Sequence, residues 1–576
     1  MPEIKIQGIA ASAGIGIGPI YIYRPRSLEV PHRQPQAFAV EFARFEAARD
    51  QAILELQKLR SSLASSLASN EAEILDAHIE IVRDEMLSDA VRSHLQAGQG
   101  VEEATASATE EIAALFSGME NEMFAARSAD VKDVGRRLVR ILLGLPDISL
   151  SAISQPSSVI ANDLAPTDTA RLNPKLVLGI CTASGGATSH SAILARTLGI
   201  PAVLGAGSQI LEQAQAGEMA ILDGSHGQII LDPGDETLAY YRREQQARSS
   251  HLAVVQEGSQ QESRMADGRR VEVGANVGDV ASAREALHFG AEGVGLLRTE
   301  FLYLQETQPP SESVQIERYR QIFDLLGNRP VIVRTLDIGG DKPPAYVDFG
   351  KEMNPFLGWR AIRVSFENLP LFKTQLRAVL RAAVGHRVLL MLPMVISVDE
   401  LRQAKDILGQ VRSELDAQGV DYQKEITLGI MIETPAAAAI ADLLAQECDF
   451  FSLGTNDLTQ YTLAVDRTNE RIARLYQPLH PAVLRLIQQT IESSHAHGIW
   501  TGMCGELAGM SQAIPLLLGM GLDEFSMVPR AIPEAKWLIR KIRADQAKEI
   551  ANEALALKTA AEVEAFMQDV LGRLES

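Results

Sequence analysis

The sequence predicts a multidomain α/β protein whose C-terminal half is a (β/α)8 barrel. Three observations carry this. Eight short apolar runs of strand character alternate with helical patterns over roughly the last 300 residues. From about Phe38 to Leu143 strand signals are nearly absent and apolar residues recur at helical spacing. Strand-like runs flank that block on both sides. The expected organisation is a discontinuous α/β domain (1–22 and 147–231), an all-helical insert (23–146), a linker helix (232–264) and the barrel (265–576).

Composition narrows the function. A chain of 576 residues can build several cores, and 46% hydrophobic with 22% charged residues is ordinary for a soluble globular protein. The formal net charge of −20 argues against broad nucleic-acid or anionic-membrane binding and suits a basic protein partner. Acidity serving only solubility is equally compatible with it. Cys181, Cys448 and Cys504 show no metal-ligand spacing, so a reducing cytoplasm is the simplest setting. No apolar run approaches the ~20 residues that span a bilayer, and no signal-peptide core is present.

Residues 1–23 open with Ile4-Lys5-Ile6 and close with Ile20–Tyr23, both strand-like. The glycines of Gly14-Ile15-Gly16-Ile17-Gly18 are read as turns between short strands, because no helix follows to complete a dinucleotide loop. In the helical block Phe38, Phe42, Phe45, Ile53, Leu56 and Leu59 fall on one face, as do Val131, Val134, Leu138, Ile141 and Leu142. Asp76–Glu85 is expected to set acidic side chains on an exposed helix.

Strands resume at Ser158–Ala161 and Leu176–Ile180. Next comes Ser184-Gly185-Gly186-Ala187-Thr188-Ser189-His190-Ser191. Two glycines free the backbone to turn, Thr188 or Ser189 can cap the helix that follows, and Gly199 with Pro201 ends it. His190 then falls in the first helical turn. The unpaired N–H groups there favour an anion and disfavour an imidazolium, so a neutral, nucleophilic imidazole is expected. A buried histidine that only packs is the bland alternative, and the turn, hydroxyls and helix start weigh against it. Strand-like Val203–Gly205, Met219–Leu222 and Gln228–Leu231 complete the domain, and Asp232-Pro233-Gly234 turns into a charged helical linker.

The barrel strands are expected at 271–277, 293–297, 331–336, 388–393, 426–432, 450–454, 499–503 and 524–528. Chemistry in such a fold sits at the C-terminal strand ends, which here carry Asn276, Arg298, Arg334, Glu433, Asn456, Asp457 and Cys504. Glu433 and Asp457 make a hard oxygen site suited to Mg²⁺, although each alone could be a helix cap. Arg298 and Arg334 emerge from apolar strands and need anionic partners. These are either Glu300 and Asp337 or a phosphate, which guanidinium matches bidentately. Arg467 is a third such arginine, and Arg360 is a candidate with a structural alternative. Cys504, in Gly-Met-Cys-Gly-Glu, either packs as a buried thiol or exchanges a proton with a bound substrate.

The Gly-Gly-Ala-Thr-Ser-His-Ser stretch, Asn354–Arg360, Gly454–Leu458 and Gly502–Glu506 together resemble Enzyme I of the bacterial sugar phosphotransferase system, of the phosphoenolpyruvate-utilising family. Pyruvate phosphate dikinase and phosphoenolpyruvate synthase share the histidine signature. The likeness spans nearly the whole chain. It implies that His190 carries a phosphoryl group taken from phosphoenolpyruvate and passes it to the phosphocarrier HPr, which docks on the helical insert. It implies Mg²⁺ on Glu433 and Asp457, phosphate on Arg298, Arg334 and Arg467 with Asn456 in contact, and Cys504 as the acid that protonates the enolate. It also implies a homodimer through the barrel, and His190 travelling between sites on hinges near 146–157 and 232–235. Enzyme I usually has arginine where this chain has Ala187, so a basic contact to the phosphohistidine is missing or supplied elsewhere. A nucleotide-dependent dikinase is disfavoured because the segment before the histidine domain is short and helical. A non-catalytic phosphocarrier is disfavoured by the intact set of barrel residues.

Overall fold

The computed structural model describes residues 3–23, 30, 33, 35–63, 69–117, 122–145, 150, 153–164, 173, 175–186, 189–304, 308–340, 344, 346–350, 352–467, 469 and 471–575. The chain divides into two compact units, Met1–Ser250 and His251–Ser576. Among the described residues no helix is long and apolar enough to cross a membrane.

In the first unit eight strands form one mixed sheet: β1 (Ile4–Gln7), β2 (Ile9–Ser12), β3 (Ile15–Tyr23), β4 (Ser157–Ala161), β5 (Val177–Thr182), β6 (Ala202–Leu204), β7 (Met219–Asp223) and β8 (Gln228–Leu231). Their order is β1-β8-β7-β3-β4-β5-β6-β2. The central run β3-β4-β5-β6 is parallel and the flanking pairs are antiparallel. Alternate residues feed apolar cores on the two faces. Val159 and Ala161 pack with Ala192 and Ala195, while Ile160 and Cys181 pack with Leu222 and Ile229.

One expectation fails here. Gly16 and Gly18 are not turn residues; they lie inside the nine-residue strand β3. A side chain on Gly16 would run into the backbone of Leu178, and one on Gly18 into the Leu178 side chain. The glycines serve close approach of two chain segments, the other reason for glycine in a strand.

Between β3 and β4 the described residues form five helices, α1 (Phe38–Leu63), α2 (Ser69–Arg83), α3 (Glu85–Gln96), α4 (Val101–Ser117) and α5 (Glu122–Leu142). Phe45, Leu56, Val82, Val91, Val134 and Leu138 form their shared core. Buried Glu41 and Glu102 are neutralised by Arg33 and Arg44, with contacts of 2.7–3.4 Å. The acidic stretch 76–85 is not one exposed helix. Asp84 leaves helical geometry to cap α3, accepting from the Met86 N–H at 2.9 Å. His78, Ile79 and Val82 are buried, while the acids Asp76, Glu80, Asp84 and Glu85 stand at the surface. Among the described residues three more helices follow: α6 (His190–Leu198), α7 (Gln209–Gln213) and α8 (Asp235–Glu257), within which the division between units falls.

In the second unit β9 (Glu272–Val277), β10 (Val294–Leu297), β11 (Val331–Arg334), β12 (Val388–Leu392), β13 (Thr427–Ile432), β14 (Phe450–Leu453), β15 (Trp500–Met503) and β16 (Glu524–Met527) close a parallel barrel, β16 pairing with β9. The expected (β/α)8 fold is confirmed, each strand ending within two residues of its expected bounds. These strands are buried on both faces, which is why they read as near-continuous apolar runs. Leu296, Ile332, Met391, Met431 and Phe450 fill the interior, and a larger apolar layer joins the barrel to its helices.

Candidate active site

The described part of the histidine segment follows the expected strand, cap and helix. β5 ends at Thr182 and α6 begins at His190. Of the two possible caps Ser189 is the one used. Its backbone is extended (φ −63°, ψ 157°) and its hydroxyl accepts the Ala192 N–H at 3.3 Å. Gly199, left-handed at φ 68°, ends the helix. The readings on Ala187 and Thr188 lie outside the described residues.

At the C-terminal mouth of the barrel a cavity of about 270 Å³ is lined by Arg298, Arg334, Glu433, Asn456, Asp457, Arg467 and Cys504. These seven strand-end and loop residues are thus brought into one pocket, whereas Asn276 does not line it and donates through Nδ2 to the Cys504 carbonyl at 2.9 Å. Arg360, Glu300 and Asp337 line it too.

The charges are arranged unequally. Arg334, the last residue of β11, donates to Glu300 Oε1 at 3.0 Å and pairs with Asp337 Oδ2 at 3.0 Å. Burial opposes its charge, but Glu300 and Asp337 outweigh burial and hold its pKa above the ordinary arginine value. Arg360 donates to both oxygens of Asp337 at 3.1 Å and reaches Asp457 Oδ1 at 3.4 Å. Arg360 is thus fixed by ion pairs while it also lines the cavity. Arg298, by contrast, makes no ion pair among the described residues. Desolvation and then the like charge of Arg334 push its pKa down. Arg467 too has no ion pair among the described residues, so these two cations are left for a ligand.

Glu433, at the end of β13, is buried, and its Oε1 accepts the Met394 N–H at 2.6 Å. Burial, then Asp457 and Asp337, push its carboxyl up to about 8. Asn456 and Glu506 hold each other through Nδ2 to Oε1 (3.2 Å) and the Glu506 N–H to Oδ1 (2.9 Å). The Arg467 N–H donates to Gln460 Oε1 at 3.2 Å. Cys504 is buried beside Ser452, whose hydroxyl donates to Sγ at 3.4 Å. Burial pushes its thiol up to about 11, against that hydrogen bond and Arg334.

Glu300 and Asp337 entered the sequence reading only as partners for arginine. They line the cavity themselves, and the signal was their position just beyond a strand-end arginine. Among the described residues no three His, Cys, Asp or Glu side chains converge as a preformed metal site. Glu433 and Asp457 still fit a divalent cation. They offer hard oxygens in one pocket, and the crowding that raises Glu433 is what such a cation would relieve.

The chain matches three domain descriptions: PEP-utilising enzyme, N-terminal, over residues 7–127; PEP-utilising enzyme, mobile domain, over 153–227; and PEP-utilising enzyme, PEP-binding domain, over 253–544. Barrel, pocket and matches define a PEP-utilising enzyme. Phosphoenolpyruvate-protein phosphotransferase of Staphylococcus carnosus (strain TM300) is 42% identical over 560 residues, covering 97% of this chain and 98% of the relative. That of Geobacillus stearothermophilus is 43% identical over 567 residues, 98% of each. The chain belongs to the phosphoenolpyruvate-protein phosphotransferase family.

Proposed function

We propose that this chain is a phosphoenolpyruvate-protein phosphotransferase, moving the phosphoryl group of phosphoenolpyruvate to its own His190 and then to a histidine of the carrier HPr or an HPr-like domain. The observation that carries the reading is Arg298, a guanidinium without an ion pair among the described residues, in one pocket with Glu433, Asp457 and Cys504.

In this mechanism Arg298, Arg334 and Arg467 bind the phosphate, with Asn456 in contact. Glu433 and Asp457 would hold the divalent cation, Mg²⁺ by the hardness of the donors. When bound, that ion neutralises phosphate charge and steadies the enolate oxygen. The neutral imidazole nitrogen of His190 attacks phosphorus as the bond to the enolate oxygen breaks. Cys504 then gives its S–H proton to the enolate carbon, forming pyruvate, and the thiolate regains a proton from water. A thiol at about 11 carries its proton at neutral pH, the state an acid needs. Positioning and charge neutralisation supply most of the acceleration.

Exposed Glu80, Asp84 and Glu85 on the helical block support docking of a basic carrier there. Exposed Met353 and Leu357 at the barrel rim support a homodimer through the barrel. Free Cys181, Cys448 and Cys504 suit a reducing cytoplasm.

Incubation with labelled phosphoenolpyruvate and Mg²⁺ tests the reading. Acid-labile, base-stable label is expected on the parent chain and none on His190→Ala. Label arriving from ATP instead would point to a dikinase and sink the proposal.

A further inference from the structure

The barrel has a second polar cavity, at the opposite, N-terminal mouth. It measures about 260 Å³, far more than the ~10–15 Å³ that one water occupies. Glu524 and Glu272, the first residues of β16 and β9, stand side by side in register at its wall. Glu524 is 5% exposed, and its Oε2 is buried with no hydrogen-bond partner. Space for this side chain is built into the strands: a methyl group on Gly295 or Gly502 would run into its carboxylate. A buried carboxylate oxygen left unpaired is costly, and three strands conform to it without pairing it.

We propose that this cavity binds a small organic ammonium ion, with Glu524 as its anion. The other charged groups leave that role to Glu524. Asp523 is already committed, its Oδ2 accepting the Thr501 N–H at 2.9 Å and pairing with His495 at 2.8 Å. Arg387, exposed at the rim, offsets the charge of Glu272. Trp500 also lines the cavity, its indole held by stacking on Phe450 at 4.7 Å and 4°. A fixed indole beside a carboxylate suits an ammonium, which the ring attracts and the carboxylate pairs. A bare metal ion is disfavoured, since among the described residues no three ligating side chains converge. Burial and Glu272 hold the Glu524 pKa well above the usual carboxylate range, so the empty site keeps a proton that the bound cation displaces.

Isothermal titration of the full chain with propylammonium chloride, against KCl at equal ionic strength, tests this. Saturable binding is expected, with heats that differ between buffers of different ionisation enthalpy because a proton leaves. Glu524→Gln should weaken binding at least tenfold. Trp500→Phe should remove the accompanying fluorescence change. If Glu524→Gln does not fold, Glu272→Gln carries the test, with at least threefold weaker binding expected. The proposal is overturned if propylammonium gives no saturable heat, if KCl does as well, or if the folded glutamine variant binds within twofold of the parent. No residue of the proposed catalytic pocket lines this cavity, so the two readings stand or fall separately.

Discussion

Arg360 and Asp457 face each other in the wall of the catalytic pocket, Nη1 3.4 Å from Oδ1, while the same guanidinium grips both oxygens of Asp337 at 3.1 Å. One side chain thereby ties the Asn354–Arg360 segment to two carboxylates from different strand ends. Arg360→Ala would leave buried Asp457 without its guanidinium and Asp337 with Arg334 alone. Breaking such a pair costs about 3–5 kcal/mol, so a clear loss in urea-unfolding stability is expected. Arg360→Lys should keep the charge but lose the two-pronged grip, lowering phosphoenolpyruvate-dependent labelling with a smaller stability cost. Equal losses of stability in both variants would contradict this.

Cys504 should be an unreactive thiol despite its place in the pocket. With its thiol pushed up to about 11, it holds roughly a hundredfold less thiolate at pH 8 than an ordinary cysteine. Iodoacetamide labelling, followed by peptide mass, should rise steeply only as pH approaches that value. Cys504→Ala should still bind phosphoenolpyruvate yet lose pyruvate release. Rapid alkylation at pH 7 would contradict the buried, protonated state.

Glu524 makes the barrel's stability depend on pH in a definite sense. Burial and Glu272 raise its pKa in the folded state. The unfolded chain therefore releases a proton that the folded chain retains, and raising the pH favours unfolding. The stabilisation is complete below about pH 4.3, the unfolded glutamate value, and is lost as pH climbs toward the folded value. The slope is at most about 1.4 kcal/mol per pH unit. Glu524→Gln should remove that slope relative to the parent in urea titrations at stepped pH. An unchanged profile would show that the carboxylate is ionised in the fold.

Gly505→Ala should be far more damaging than its size suggests. A methyl there would run into Thr455, at the start of the helix carrying Asn456 and Asp457. Pushing that helix displaces a pocket carboxylate, and misplacement by about 1 Å costs on the order of a hundredfold in rate. Labelling kinetics should fall by that order while circular dichroism keeps its shape. Gly572→Ala, with open space around it, is the matched control.

The barrel was legible because its strands are short apolar runs, several of them closed by a polar residue, and that pattern survives without tertiary context. Val331–Arg334 shows it plainly, since the arginine marks both the strand end and the pocket. Glycine was harder to read. Gly14–Gly18 looks like a turn until Leu178 is seen pressed against it, a contact between residues some 160 positions apart. Asp84 breaks the acidic stretch by capping a helix, an effect of backbone geometry that charge counting misses. No motif marks Glu272 or Glu524 in the sequence; only barrel closure sets them side by side.

The helical block is threaded in a telling way. β3 and β4 are parallel neighbours, registered from Ile20 against Ser158 to Tyr23 against Ala161. Parallel neighbours demand a crossover from the end of one to the start of the other. The five helices are that crossover, enlarged. Excising them outright would leave no route back, but a short substitute bridge should let the sheet keep its strand order, which makes the bundle an exchangeable module on an unchanged sheet.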